Sequence, residues 1–178
     1  MKVHVINCLV FMLLVGHLNA QTRDSIRWVN WEKANEYQEK ESKKMMVYVY
    51  TDWCSWCKKL ESTTLKEPNL AKYINAHFYS VFFDAEQEGD LEYQGKTYHF
   101  SKTGKRGHHE LAATLLNNRL SYPTIVFLDE KGHVIQSIVG FKTAEQLEKI
   151  VTYFATDQYM KTPWSMYDQS YQPVLIKD

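Results

Sequence analysis

Apolar and polar positions recur along this chain with two different periods, and each change of period marks an element. From Trp31 to Lys44 the residues are mostly Glu and Lys, with Trp31, Ala34 and Tyr37 on one side. Behind Asn30, a capping residue type, that spacing predicts a helix. Met45 to Tyr50 is a dense run of Met, Val and Tyr bounded by Thr51-Asp52, the pattern of a short buried strand. Lys58 to Lys66 returns to helical spacing. Pro68, which lacks an N–H for a helix interior, restarts or kinks that helix, and Leu70, Tyr73, Ile74 and His77 repeat three or four apart after it. Phe78 to Phe83 is the next strand, ending at Asp84-Ala85-Glu86.

From Gln87 to Gly107 the chain turns polar and glycine-bearing, an insert in which Tyr93 to Tyr98 reads as a small hairpin about Gln94-Gly95. His108 to Asn118 predicts a helix carrying Leu111, Ala112, Leu115 and Leu116. Thr124 to Leu128 and His133 to Val139 are strands joined by the tight connection Asp129-Glu130-Lys131-Gly132. Thr143 with Gln146 three residues on is a capping-box arrangement, and Leu147, Ile150, Val151 and Phe154 give the helix behind it one apolar face. The tail from Met160, with Pro163 and Pro173, reads as irregular. The order is a parallel strand–helix–strand unit, an insert, then an antiparallel hairpin and a closing helix. Helices can cover both sheet faces, so the expected fold is a three-layer α/β/α domain on a central mixed sheet.

The first twenty residues stand apart. Lys2 and His4 precede an apolar run from Cys8 to Val15, and Leu18-Asn19-Ala20 ends in a small residue. This is a signal-peptide layout with cleavage after Ala20, and it places the mature chain, residues 21–178, in the periplasm or outside the cell. The run falls short of the roughly 20 apolar residues that span a bilayer, so no stable membrane span is expected after cleavage. Within the mature chain the core is expected over about residues 28–155, with a C-terminal tail over 160–178.

Composition adds less. The apolar and charged shares, 44% and 24%, are those of an ordinary globular domain, and a formal net charge of +0 gives no reason to expect nucleic acid as a partner. The cysteines change the picture. Cys8 would leave with the signal, so the mature chain keeps Cys54 and Cys57, in Trp53-Cys54-Ser55-Trp56-Cys57-Lys58. A bridge across two residues closes so small a loop that it constrains the unfolded chain little, so chemistry explains the pair better than stability does. A Cys-x-x-Cys that follows a strand and opens a helix places its first sulfur at the helix N-terminus, where free N–H groups and partial positive charge favour a thiolate. Cys54 is accordingly the expected nucleophile, and Cys57, one turn along, the thiol that resolves a mixed disulfide.

Other readings of the pair are weaker. A zinc site wants a second ligand pair; none exists, although His77, His99, His108, His109 and His133 are scattered along the chain. Haem attachment wants His after the second Cys, where Lys58 stands. No metal and no separate cofactor is expected, the Cys54–Cys57 disulfide being itself the redox group. Adjacent His108 and His109 at a helix start read as solvated.

With Tyr122-Pro123-Thr124 ahead of the final hairpin and helix, the strand Met45–Tyr50 and the Cys motif, the chain resembles the thioredoxin-like superfamily, and exported bacterial members of it in particular. The resemblance covers roughly Trp28 to Phe154, with an extra N-terminal helix and the insert before the proline. It implies a cis Pro123 facing the Cys pair, and docking of an extended substrate segment by Trp53, Ser55, Trp56, Tyr122 and Pro123. The implied activity is thiol–disulfide exchange with protein thiols or disulfides and an upstream redox partner. The alternative is a non-catalytic binding or chaperone-like module with a structural or vestigial pair. Two departures stand out. Tyr48 occupies the position six before the first Cys where many thioredoxins carry a buried carboxylate, leaving Glu86 or water to take over proton transfer. Ser55-Trp56 matches neither the Gly-Pro of typical reductases nor the Pro-His of typical oxidases. Because both parallel strands end on the same sheet edge, the insert after the second should lie near the dithiol.

Overall fold

The computed structural model describes residues 24–102 and 106–176. The signal-peptide expectation for residues 1–20 lies outside them. The elements run β1 (Trp28–Val29), α1 (Trp31–Lys40), β2 (Lys44–Tyr50), α2 (Ser55–Ser62), α3 (Pro68–His77), β3 (Phe78–Asp84), β4 (Leu91–Tyr93), β5 (Lys96–Tyr98), β6 (Phe100–Ser101), β7 (His108–His109), α4 (Glu110–Leu115), β8 (Thr124–Leu128), β9 (Val134–Val139), α5 (Ala144–Ala155) and α6 (Trp164–Ser170). The central sheet has the order β1-β3-β2-β8-β9. Here β1, β3 and β2 are mutually parallel, while β8 is antiparallel to β2 and β9. This is the expected mixed sheet with helices on both faces.

The period of two along β2 divides the core. Met46 and Tyr48, with Ile125 and Phe127 of β8, meet Leu60, Leu70, Ile74, Ile150 and Phe154 of α2, α3 and α5. Met45, Val47 and Val49 point the other way, to Trp31 and Ala34 of α1 and to Leu111 and Leu115 of α4. The capping box at Thr143 forms as the spacing predicts, with Thr143 Oγ1 accepting from Gln146 N–H at 3.3 Å and Gln146 Oε1 accepting from Thr143 N–H at 2.9 Å.

Several boundaries differ from the expectation for physical reasons. Helix α1 ends at Lys40, because Glu41 turns extended and Lys44 is buried at the start of β2, where its ammonium pairs with Glu130 at 2.6 Å and Asp157 at 2.9 Å. The Cys-bearing helix stops at Ser62 and gives way to a 3-10 turn at Thr64–Lys66 before α3. Helix α4 starts two residues late, because His108–His109 pairs with Phe100–Ser101 as a strand. The tail is not irregular throughout: a 3-10 turn at Gln158–Met160 leads into α6, whose Trp164 and Tyr167 pack on Tyr153 at 5.1 and 4.8 Å between ring centroids.

The tail is held by one acid. Glu148 of α5 is buried, and its Oε1 accepts from Tyr171 O–H, Val174 N–H and Leu175 N–H at 2.7, 2.6 and 2.9 Å, its Oε2 from Ile176 N–H at 3.0 Å. Burial by itself would raise this carboxyl; the hydrogen bonds from Leu175, Tyr171, Val174 and Ile176 outweigh burial and hold it below the ordinary glutamate value. A depressed pKa in the folded state makes the contribution fully present above the unfolded value and lost as pH falls through the folded one. Glu148→Gln is expected to lower the unfolding free energy by about 2 kcal/mol and to make residues after Ser170 cleavable by protease. Chemical denaturation and limited proteolysis check both.

Candidate functional site

The site is built where β2 stops. Thr51 and Asp52 turn the chain, Cys54 N–H donates to Thr51 O at 3.1 Å, and α2 begins one residue later. Cys54 is the N-cap: its Sγ accepts from Cys57 N–H at 3.0 Å, and its carbonyl accepts from Lys58 N–H at 3.2 Å. A helix N-terminus offers unpaired N–H groups and no acid occupies the first turn of α2, so negative charge on Cys54 Sγ is favoured there. The two sulfurs are joined as a disulfide, with the Cα atoms 5.2 Å apart. Both residues are largely buried, Cys54 retaining 6% of its surface and Cys57 none, so Cys54 is the more accessible of the pair.

The other residues expected to dock substrate are brought to the same end of the sheet in two groups. Trp53 and Trp56 are 51% and 55% exposed, which places both indoles on the rim instead of in the core. Trp53 meets Tyr122 edge to face, centroids 6.0 Å apart at 80°. Pro123 is buried behind Tyr122, the peptide bond between them is cis, and Pro123 O accepts from Gly140 N–H at 2.8 Å. Ser55 is exposed at the first turn of α2. Trp56 turns toward Phe141, 5.7 Å away, and the Lys59 ammonium lies 4.9 Å from one ring and 5.1 Å from the other. Phe141 and Lys59 carried no sequence signal for this role. Phe141 follows the Gly140 that ends β9, and only the return of that loop brings it beside α2.

The position six before Cys54 resolves differently from the expectation. Tyr48 is fully buried, and its hydroxyl donates to Glu61 Oε1 at 2.9 Å. Burial, with the Glu61 carboxylate beside it, drives the phenol far above its ordinary pKa. Glu86 does not take this place, since its Oε1 accepts from Trp53 Nε1–H at 2.9 Å. Glu61, one helical turn beyond Cys57, is the carboxylate that meets Tyr48, and its position in a helix of Lys, Glu and Ser carried no sequence signal for it. Asp84, at the end of β3, is raised by burial and by Asp52 and Glu86 nearby, against one hydrogen bond from Glu86 N–H. Tyr50 and Tyr122 are each pushed up to about 12, chiefly by burial and then by these acids.

Among the described residues, the insert comes beside the Cys pair at its two ends, where Glu86 and Arg106 reach Trp53. Its hairpin, β4–β5, turns through Gln94 and Gly95, both with positive φ, and lies toward the opposite end of the sheet. There Tyr93 O–H donates to Gly132 O at 2.8 Å, and Trp31 donates its indole N–H to Glu92 O at 2.9 Å. Leu91 and Tyr98 are apolar enough to bury against Trp31, which is why the hairpin folds back instead of projecting over the site. The histidines also depart from the solvated reading, as His109 is fully buried. Its Nδ1 accepts from Leu111 N–H at 3.1 Å, which puts the proton on Nε2, the donor to Gly89 O at 3.0 Å. Among the described residues no cluster of His, Cys, Asp and Glu is arranged to hold a metal ion. The cleft of about 580 Å³ between β9 and α5, lined by Ile135, Ile138, Ile150, Tyr153, Phe154 and Trp164, does not border either cysteine. The Cys pair lies instead beside the half-exposed indoles of Trp53 and Trp56.

Comparison with known proteins matches this arrangement. A family model described as a thioredoxin-like domain covers residues 31–155. The thiol:disulfide interchange protein DsbD of Haemophilus ducreyi is 30% identical over 117 residues, 65% of this chain and 17% of that protein. The disulfide bond reductase DsbH of Chlamydia pneumoniae is 22% identical over 109 residues, 61% of this chain and 59% of that protein. The chain thus spans less than two thirds of either relative. Among solved structures, a thioredoxin-fold protein from Helicobacter pylori superposes with a TM-score of 0.57 at 18% identity, over 84% of this chain and 89% of the other.

Burial depresses the His109 pKa in the folded state. The unfolded chain then binds the extra proton first, so stability is present above about pH 6.5 and falls as the pH drops below it, by at most ~1.4 kcal/mol per pH unit for one group. Denaturation at pH 7 and pH 5.5 should show the loss in the wild type and a smaller pH dependence in His109→Gln.

Proposed function

The chain belongs to the thioredoxin-like domain family, and on that premise we propose that it is an exported thiol–disulfide oxidoreductase acting on protein disulfides, with reduction the favoured direction. The observation that carries the reading is the placing of Cys54 as the N-cap of α2, with Cys57 N–H on its sulfur and Cys57 buried behind it. A reductase named as such among the relatives supports the direction. The signal-peptide layout of residues 1–20 supports a periplasmic or secreted site of action.

In the reduced form the Cys54 thiolate attacks one sulfur of a partner disulfide. That S–S bond breaks, a mixed disulfide forms, and the partner's other sulfur leaves as a thiolate that takes up a proton. Cys57 then loses its proton and attacks Cys54 Sγ, releasing the second partner sulfur as a thiol. Two electrons have passed to the partner, and the chain is left with the Cys54–Cys57 disulfide. An upstream dithiol returns the electrons by the same two steps in reverse. Burial of Cys57 makes its deprotonation the step that needs help. Tyr48 shares a core layer with Cys57 and is hydrogen-bonded to the Glu61 carboxylate, which supports assigning that help to Glu61. The rim of Trp53, Trp56, Tyr122 and Phe141 supplies apolar area for an extended segment of the partner.

Reduction of insulin disulfides should fall to the uncatalysed rate in Cys54→Ser, while Cys57→Ser should retain the first step and accumulate a mixed disulfide visible by mass. Equal activity of wild type and Cys54→Ser would rule the reading out. Glu61→Gln should move the pH profile of the reaction, and Tyr48→Phe should move it in the same direction.

A further inference from the structure

Trp53 is gripped by the two ends of the insert. Its Nε1–H is anchored on Glu86 Oε1 at 2.9 Å, and the Arg106 guanidinium carbon stands 4.5 Å from the centre of its ring. Tyr122 meets the same indole edge to face. Glu86 and Arg106 are twenty positions apart in the chain, one just after β3 and the other just before β7. Their meeting over one side chain therefore needs a structural cause.

The cause is a run of backbone hydrogen bonds that closes the mouth of the insert. Ala85 N–H donates to Tyr50 O at 2.8 Å, and Ala85 O accepts from His109 N–H at 2.7 Å. The residue leaving β3 is thereby tied at once to the end of β2 and to the returning chain. Buried His109 holds the same junction through Gly89 O, and Phe100 pairs with it in the β6–β7 ladder. Gly107 allows the close approach: a Cβ there would lie 2.0 Å from the Phe100 ring. Glu86 is one position from Ala85 and Arg106 three from His109, on the two sides of this junction. The β4–β5 hairpin packs away from the Cys pair, against Trp31 and Gly132.

We propose that the closed mouth of the insert is a clamp, with Glu86 and Arg106 as positioning residues that hold Trp53 against Tyr122 and so decide which disulfides dock at Cys54. Held in this way, the half-exposed indole is a fixed wall on one flank of the dithiol. The other flank, with Trp56, Phe141 and Lys59, has no such anchor among the described residues of the insert. A fixed wall favours a partner that lays an extended protein segment across the rim, and offers little to a small disulfide that touches only the sulfurs. Pre-orientation lowers the ordering cost of docking and does not enter the bond-making step. The clamp rests on the redox reading above and adds the selection of a protein disulfide over a small one.

The test uses the full chain as wild type, Glu86→Ala, Arg106→Ala, the conservative Glu86→Gln and Arg106→Lys, and Trp53→Ala alone and combined with each alanine change. Insulin serves as protein disulfide and oxidised glutathione as small one. In Glu86→Ala and Arg106→Ala, KM for insulin is expected to rise about fivefold relative to KM for oxidised glutathione, the scale of one exposed cation–π or hydrogen-bonded anchor. Glu86→Gln and Arg106→Lys should keep the wild-type ratio, and neither alanine change should have a further effect once Trp53 is removed. The near-ultraviolet circular dichroism assigned to Trp53 by subtracting the Trp53→Ala spectrum should collapse in both alanine variants. An unchanged ratio, a ratio that still shifts in the Trp53→Ala background, or an intact Trp53 signal overturns the clamp. Failure of the wild type to reduce either substrate overturns the redox reading, and the clamp's role with it. That failure is distinct from a wild type that reduces both substrates while the ratio stays fixed.

Discussion

Everything at the site depends on the burial of β2. Its residues from Lys44 to Val49 are all nearly or fully buried, hydrogen-bonded to β3 on one edge and to β8 on the other, with packed layers on both faces. A strand paired on both edges and covered on both faces cannot slip in register without moving one apolar set into the wrong core. The end of β2 is therefore a fixed point, and Cys54 begins a helix four residues beyond it. The same end supplies Tyr50 O to Ala85, so it also locates the insert and, through it, Glu86 and Arg106.

From that fixed end, two chemically different environments meet at the disulfide. Above it is an exposed aromatic rim whose polar contacts come from Glu86, Arg106 and Lys59. On the core side is an aromatic layer in which buried Tyr48 packs with half-buried Tyr50, Phe82 and Trp28, with the Tyr48 hydroxyl tied to Glu61. Exchange chemistry needs both. The attacking sulfur must meet a large partner, whereas the resolving sulfur must be kept from reacting first.

The family match takes in the frame and the insert and leaves out the tail. The matched region, residues 31–155, contains the sheet, the dithiol helix and the proline loop. The α6 tail lies beyond it, held through Glu148 and by the edge-to-face and tilted packing of Trp164 and Tyr167 on Tyr153. The insert lies within it. There the family frame supplies the end of β3, while Trp31, Leu91 and Tyr98 determine where the hairpin rests.

Much of this was legible in the chain, because local physics decides it. The run Met45–Tyr50 is too apolar to be anything but a buried strand, Thr143 and Gln146 cap each other within one turn, and a Cys-x-x-Cys after a strand can hardly avoid a helix N-terminus. Other features are set by residues distant in sequence, and no window along the chain contains them. Lys44 leaves α1 for the sheet because Glu130 and Asp157 wait for it, His109 is buried because Gly89 and Leu111 take up its two nitrogens, and the tail is ordered by a glutamate more than twenty positions earlier. Local pattern alone puts the Cys pair at the start of a helix behind a buried strand. That Glu61 stands by Tyr48 and Glu86 by Trp53 depends on how helix, strand and insert pack together, which no local window of the chain contains.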